Sequence, residues 1–149
     1  MSASMEAIKK LRDETGAGIM DVKKALIESN GDMDKAKAYL KKKGLERAEK
    51  KADRETGITQ VFAYVHFNGS VGAMVKLACE TDFVAKTDDF AKLGKEVAMQ
   101  VASMNPESVE ELLKQDYLRD TSKTIEELSK EVSGKTGENV RVLEIVRLG

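Results

Sequence analysis

The sequence predicts an α+β protein: a bundle of three short helices, a charged linker, then a small antiparallel sheet of about three strands packed with helices. Three observations lead there. Over residues 5–43 apolar side chains recur every three or four positions, the spacing of one helix face. From Gly44 to Gly57 the stretch "GLERAEKKADRETG" is dense in charge of both signs. After Ile58 the apolar residues become β-branched and aromatic runs flanking an Asn-Gly pair. The corresponding units are residues 1–44, 45–56 and 57–149.

Ser4 is placed to cap the first helix, whose Met5, Ile8 and Leu11 fall on one face. Gly16-Ala17-Gly18 breaks it. A second helix carries Ile19, Val22, Leu26 and Ile27 and ends at Asn30-Gly31. Asp32 caps a third, with Met33, Ala36, Tyr39 and Leu40 inward and Gly44 as its stop. The charged stretch that follows reads as an exposed linker or a solvated helix.

"ITQVFAYVHF" and "VGAMVKLAC" then form a hairpin around Phe67-Asn68-Gly69-Ser70. Thr87 caps a long helix bearing Phe90, Leu93, Val97 and Val101, which ends before Asn105-Pro106. A short helix with Val109, Leu112 and Leu113 follows. Thr124 and Glu127 have capping-box spacing for another, carrying Ile125, Leu128 and Val132 and closed by Gly134 and Gly137. "NVRVLEIVRL" is the last strand. Both faces of the hairpin are apolar: Phe62, Tyr64, Val71, Val75 and Leu77 on one, Val61, Ala63, Val65, Phe67 and Met74 on the other. Helices can cover one face. Either a second copy of the chain or a different protein covers the other, or the chain's own helices wrap both.

Composition narrows the function classes. The 149 residues carry 25 basic and 26 acidic side chains, a formal net charge of −1, so no broad field favours a phosphate backbone or an anionic membrane. Nucleic-acid and membrane partners are therefore not expected. Hydrophobic content of 41% and charged content of 34% suit an ordinary folded protein. Cys79 is the only cysteine, which rules out an intrachain disulfide and fits a reducing compartment. Met1-Ser2-Ala3-Ser4 runs straight into an amphipathic helix with no signal-peptide pattern, and a cytoplasmic location is expected.

Reacting groups are scarce. His66 is the only histidine, so no histidine cluster can hold a metal, and it falls at a hairpin end. Cys79 alternates with Val75 and Leu77, the pattern of a buried, inert thiol. Neither a GxxxxGK[ST] loop nor GxGxxG is present. Gly16-Ala17-Gly18 joins two helices, which suits a tight connection better than an anion site. One stretch, "CETDFVAK" at residues 79–86, resists a bland account. Thr81 is a ready N-cap and Asp82 suits a helix's positive end, but Phe83 is bulky for a first turn. It either packs back on the hairpin or stands out as an apolar wedge beside a carboxylate, preorganised for a partner.

"LRDETGAGIMDVKKAL" (11–26), "CETDFVAK" (79–86) and "KTGENVRVLEIVRL" (135–148) resemble, in that order, hallmark segments of the elongation factor Ts family, the guanine-nucleotide exchange factors of elongation factor Tu. The resemblance implies that residues 1–44 are similar to a ubiquitin-associated (UBA) domain and dock on the partner's GTP-binding domain, with Arg12, Ile19 and Met20 matching the contact positions. Thr81, Asp82, Phe83 and Val84 match the segment associated with dislodging magnesium, Asp82 and Phe83 entering near the metal and phosphates. The partner is implied in both its GDP-bound and nucleotide-free forms. No cofactor, metal or catalytic residue of the chain's own is implied. Long family members carry two related core subdomains; this chain has room for one, and short members act as homodimers. Two other functions remain open on the residues: a dimeric adaptor without exchange activity, and an enzyme using Cys79 or His66.

Overall fold

The computed structural model describes residues 3–149; Met1 and Ser2, the start of the expected N-terminal run, lie outside them. Helix α1 (Met5–Thr15) is capped by the Ser4 hydroxyl and closed by Gly16 at φ 69°, a left-handed position that glycine adopts without strain. Helix α2 (Ile19–Glu28) follows, then α3 (Met33–Lys51), which Asp32 caps by accepting from the backbone N–H groups of Asp34 and Lys35. Ile8, Leu11, Val22, Ala25, Leu26, Ala36 and Leu40 form the core of this bundle.

Several expectations change here. Met5 and Ile27 lie on the outside, because Ile8, Leu11, Val22 and Leu26 with Ala25 already fill the seam between short helices. Ile19 is exposed at the start of α2 rather than packed with Val22 and Leu26. Gly44 does not stop the third helix, which runs on to Lys51 and takes in much of the charged stretch. The reason is a close crossing with helix α7 (Ile125–Thr136). A β-carbon added to Gly134 would lie 2.9 Å from the carbonyl oxygen of Gly44, so the two backbones touch. That contact, the buried Ala48, and ion pairs Lys41–Glu127 (3.6 Å) and Lys130–Glu49 (3.5 Å) offset the roughly 1 kcal/mol that a mid-helix glycine costs. Gly134 likewise sits inside its helix, and Gly137 alone ends it, at φ 79°.

The sheet has three antiparallel strands in the order β1–β2–β5: β1 (Ile58–Val65), β2 (Gly72–Cys79) and β5 (Arg141–Leu148). The hairpin closes as His66 N–H donates to the Val71 carbonyl, leaving Phe67-Asn68-Gly69-Ser70 as the loop. Between β2 and β5 lie the one-turn helix α4 (Asp82–Ala85), the long α5 (Asp88–Met104), α6 (Val109–Lys114), a two-stranded hairpin of β3 (Asp116–Tyr117) and β4 (Asp120–Thr124), and α7. The β3–β4 hairpin went unrecognised in the sequence because its strands carry few apolar residues. The polar side chains of Glu96 and Gln100 on α5 hold it: Tyr117 Oη donates to Glu96, and Gln100 bonds both the Asp116 carbonyl and the Leu118 N–H.

Helix α5 covers one face of the sheet. Phe90 in its first turn is fully buried and meets Phe62 of β1 edge to face, 5.8 Å between ring centroids. Burial of a ring that size contributes roughly 2–3 kcal/mol. Ala73, Val75, Leu77, Val97, Val101 and Val142 belong to the same core. The opposite face stays open among the described residues, with Val61, Val65, Met74, Val146 and Leu148 all exposed. Met74 stands opposite Ala63 on one side and Val146 on the other, so the apolar row crosses all three strands.

Candidate partner-binding site

Strand β2 ends at Cys79, and the chain turns at Glu80-Thr81 into α4. Thr81 caps the turn by accepting from Val84 N–H at 3.5 Å. Val84 points inward and is buried; Asp82 and Phe83 point outward. Phe83 is 86% exposed, so the ring is not packed back on its own hairpin. Of the four residues in the segment, then, one anchors it, one caps it and two face solvent.

The turn is tied down by residues 57 to 59 positions away. One oxygen of Glu138 accepts from the backbone N–H groups of Glu80 (3.0 Å) and Thr81 (2.9 Å), and the other accepts the Thr81 hydroxyl at 2.6 Å. Glu80 answers in kind, its carboxylate accepting from Asn139 N–H at 2.7 Å. The Asn139 amide donates to the carbonyls of Ala52 (3.2 Å) and Arg54 (2.8 Å), just past the end of α3, and Arg54 lies 3.8 Å from Glu80. Glu138, Glu80 and Asn139 were not singled out from the sequence. Glu80 lies in "CETDFVAK" and Glu138-Asn139 in "KTGENVRVLEIVRL", two of the stretches that carry the family resemblance, but nothing local says that the two reach each other.

The other three site residues lie elsewhere. Arg12 is on α1, Ile19 and Met20 open α2, and all three are exposed, Met20 more so than Ile19 at 72%. Asp21, next to Met20, takes a forked pair of hydrogen bonds from Arg47 on α3, 2.7 and 2.9 Å. That guanidinium holds the Asp21 carboxyl below its usual range. Helices α1 and α2 pack on α3, while α4 packs on β1, β2 and α5, so the two exposed corners ride on different elements.

The remaining candidates are placed as follows. Cys79 is fully buried, and burial, with the Glu138 charge nearby, pushes its thiol up, away from the reactive thiolate. His66 is half-buried beside the hairpin loop, its Nδ1 3.1 Å from Tyr64 Oη. No helix among the described residues is long and apolar enough to cross a membrane.

A small α+β core with a helical bundle at its N-terminus and apolar side chains exposed at two corners and across one sheet face has the surfaces of a class of protein suited to contact with other chains. Comparison with known proteins gives the family. A family profile described as Elongation factor TS matches residues 80–148, from the carboxylate clamp to the last strand. Elongation factor Ts of Thermotoga sp. (strain RQ2) is 41% identical over 190 aligned positions, covering 99% of this chain and 96% of the relative. That of Coprothermobacter proteolyticus is 42% identical over 192, covering 99% and 98%. That of Leptospira biflexa is 41% identical, covering 95% and 94%. The chain belongs to the elongation factor Ts family, and it is a translation elongation factor. An alignment of 190 positions is longer than this 149-residue chain, so the relatives carry internal stretches with no counterpart here.

Proposed function

We propose that this factor binds elongation factor Tu and promotes release of its GDP by inserting the Thr81–Val84 segment beside the partner's magnesium and phosphates. The observation that carries the reading is Phe83, an apolar ring 86% exposed on a turn whose backbone is fixed by a buried anchor and a carboxylate fork. A ring so placed loses little freedom when it enters a pocket. Magnesium keeps several waters in near-octahedral order, and a small displacement of what holds those waters weakens the site. Phe83 occupies space without offering a ligand, while Asp82 competes for nearby donors or repels the phosphates.

Arg12, Ile19 and Met20 form a second contact, in which a UBA-like bundle (residues 1–44) docks on the partner's GTP-binding domain. Exchange then needs no covalent step. By linkage, a factor that weakens GDP binding is itself weakened by GDP to the same degree, so it binds the nucleotide-free partner more tightly than the GDP-bound one. The open sheet face, with Val61, Met74, Val146 and Leu148 exposed across three strands, supports a homodimer in which a second copy covers it. Such a factor works in the cytoplasm.

Release of labelled GDP from elongation factor Tu, timed with and without the chain, tests the reading. Acceleration that grows with the amount of chain added and then saturates is expected. Binding without any acceleration would leave only a dimeric adaptor.

A further inference from the structure

We infer that Glu138 is a positioning residue for the exposed Asp82–Phe83 corner: its carboxylate, more than the short helix itself, sets where the ring points. The inference rests on the reading of Phe83 as the acting group and names what holds it in place. Helix α4 has four residues, far fewer than a helix needs to stand alone. The exposed ring has no packing of its own to fix it, and Val84 fixes only one point of the turn.

The Glu138 fork supplies the rest. Backbone pairing between β2 and β5 ends at Ala78 opposite Arg141. Directly beyond, the ladder is continued by side chains, Glu138 gripping the Glu80 and Thr81 N–H groups and Glu80 gripping that of Asn139. Each carboxylate caps the other's chain, so neither end shifts alone. Hydrogen bonds to an ionised carboxylate are shorter and stronger than neutral ones, and one oxygen on two consecutive N–H groups with the other on the Thr81 hydroxyl sets orientation as well as position. Glu138 is itself aimed by the αL turn at Gly137 and by the Ser133 hydroxyl, which donates to the Glu138 carbonyl.

The test uses the full chain and its Glu138→Ala and Glu138→Gln variants with two readouts. In the chain alone, amide exchange of residues 80–84 should quicken by about tenfold in Glu138→Ala, the loss expected when a charge-assisted bond is removed, while β1 and the middle of β2 keep wild-type protection. Glu138→Gln, which keeps one oxygen for the two N–H groups, should retain most of it. With elongation factor Tu, the maximal GDP-release rate should fall about tenfold in Glu138→Ala, with the half-saturating concentration little changed, and no further in the double variant with Phe83→Ala. Unchanged exchange at 80–84 would overturn the inference. So would protection lost across the whole sheet, or losses that add in the double variant, since either marks a merely structural role. Should Phe83→Ala alone release GDP at the wild-type rate, the functional reading fails, and the exchange data still decide whether Glu138 sets the turn.

Discussion

Phe83 contributes almost nothing to its own fold, and that can be measured. A ring exposed in both the folded and unfolded chain changes stability little when removed, so Phe83→Ala should shift the unfolding free energy by less than about 0.5 kcal/mol in a denaturant titration. Phe90, seven residues on and fully buried, is the contrast: Phe90→Ala should cost about 3–5 kcal/mol in the same titration. Asp21 makes a pH prediction. Its carboxyl is lowered in the folded state, chiefly by the hydrogen bonds from Arg47, so its contribution is present above the unfolded value and lost as pH falls through the lower, folded one. Because the pair is partly exposed, that contribution is at most about 1 kcal/mol. Asp21→Asn should therefore lower stability slightly at neutral pH and make no difference in strong acid. The sequence was informative about residues whose role is local. Ser4, Asp32, Thr81, Thr87 and Thr124 are caps in the structure as their spacing indicated. It was silent about Glu138, whose partners lie 57 and 58 positions away, because no periodicity encodes a side chain reaching across the end of a sheet.

Among elements, the crossing of α3 and α7 shows why a glycine can read as a stop and yet continue a helix. Propensity alone ends α3 at Gly44; contact with α7 overrides it. The two glycines at that crossing are not equivalent. A β-carbon on Gly44 meets nothing within 4 Å, whereas one on Gly134 would lie 2.9 and 3.1 Å from the Gly44 carbonyl oxygen and α-carbon. Gly44→Ala should accordingly be neutral or stabilise by up to about 1 kcal/mol through helix propensity. Gly134→Ala should destabilise by about 1–3 kcal/mol, as backbone cannot move aside as a side-chain tip does. Thermal melts of the two variants check the difference in sign. The β1–β2 hairpin, in contrast, is legible in the sequence, since Asn68-Gly69 and two alternating strands are a short-range signal; only its loop length, two to four residues on the sequence, is set by the structure.

For the whole molecule, the two apolar faces of the hairpin become one face under α5 and one that stays open among the described residues. A homodimer seated there predicts that Met74→Lys, at the centre of the row linking Ala63 to Val146, shifts the sedimenting species from dimer to monomer without unfolding the protomer. A dimer that persists would place the second copy elsewhere. Each protomer then presents two exposed corners, one at Met20 and one at Phe83, joined through α3 and its fastening at Asn139. On the proposed function, the bundle corner is the one that would hold the partner and the Phe83 corner the one that would act on its nucleotide. The measurement that separates holding from acting is labelled-GDP release from elongation factor Tu at saturating Phe83→Ala, with binding of the variant measured in parallel. The account predicts binding close to wild type and release slower by about tenfold, the equivalent of about 1.4 kcal/mol of lost transition-state contact. Wild-type release by a variant that binds normally would contradict it.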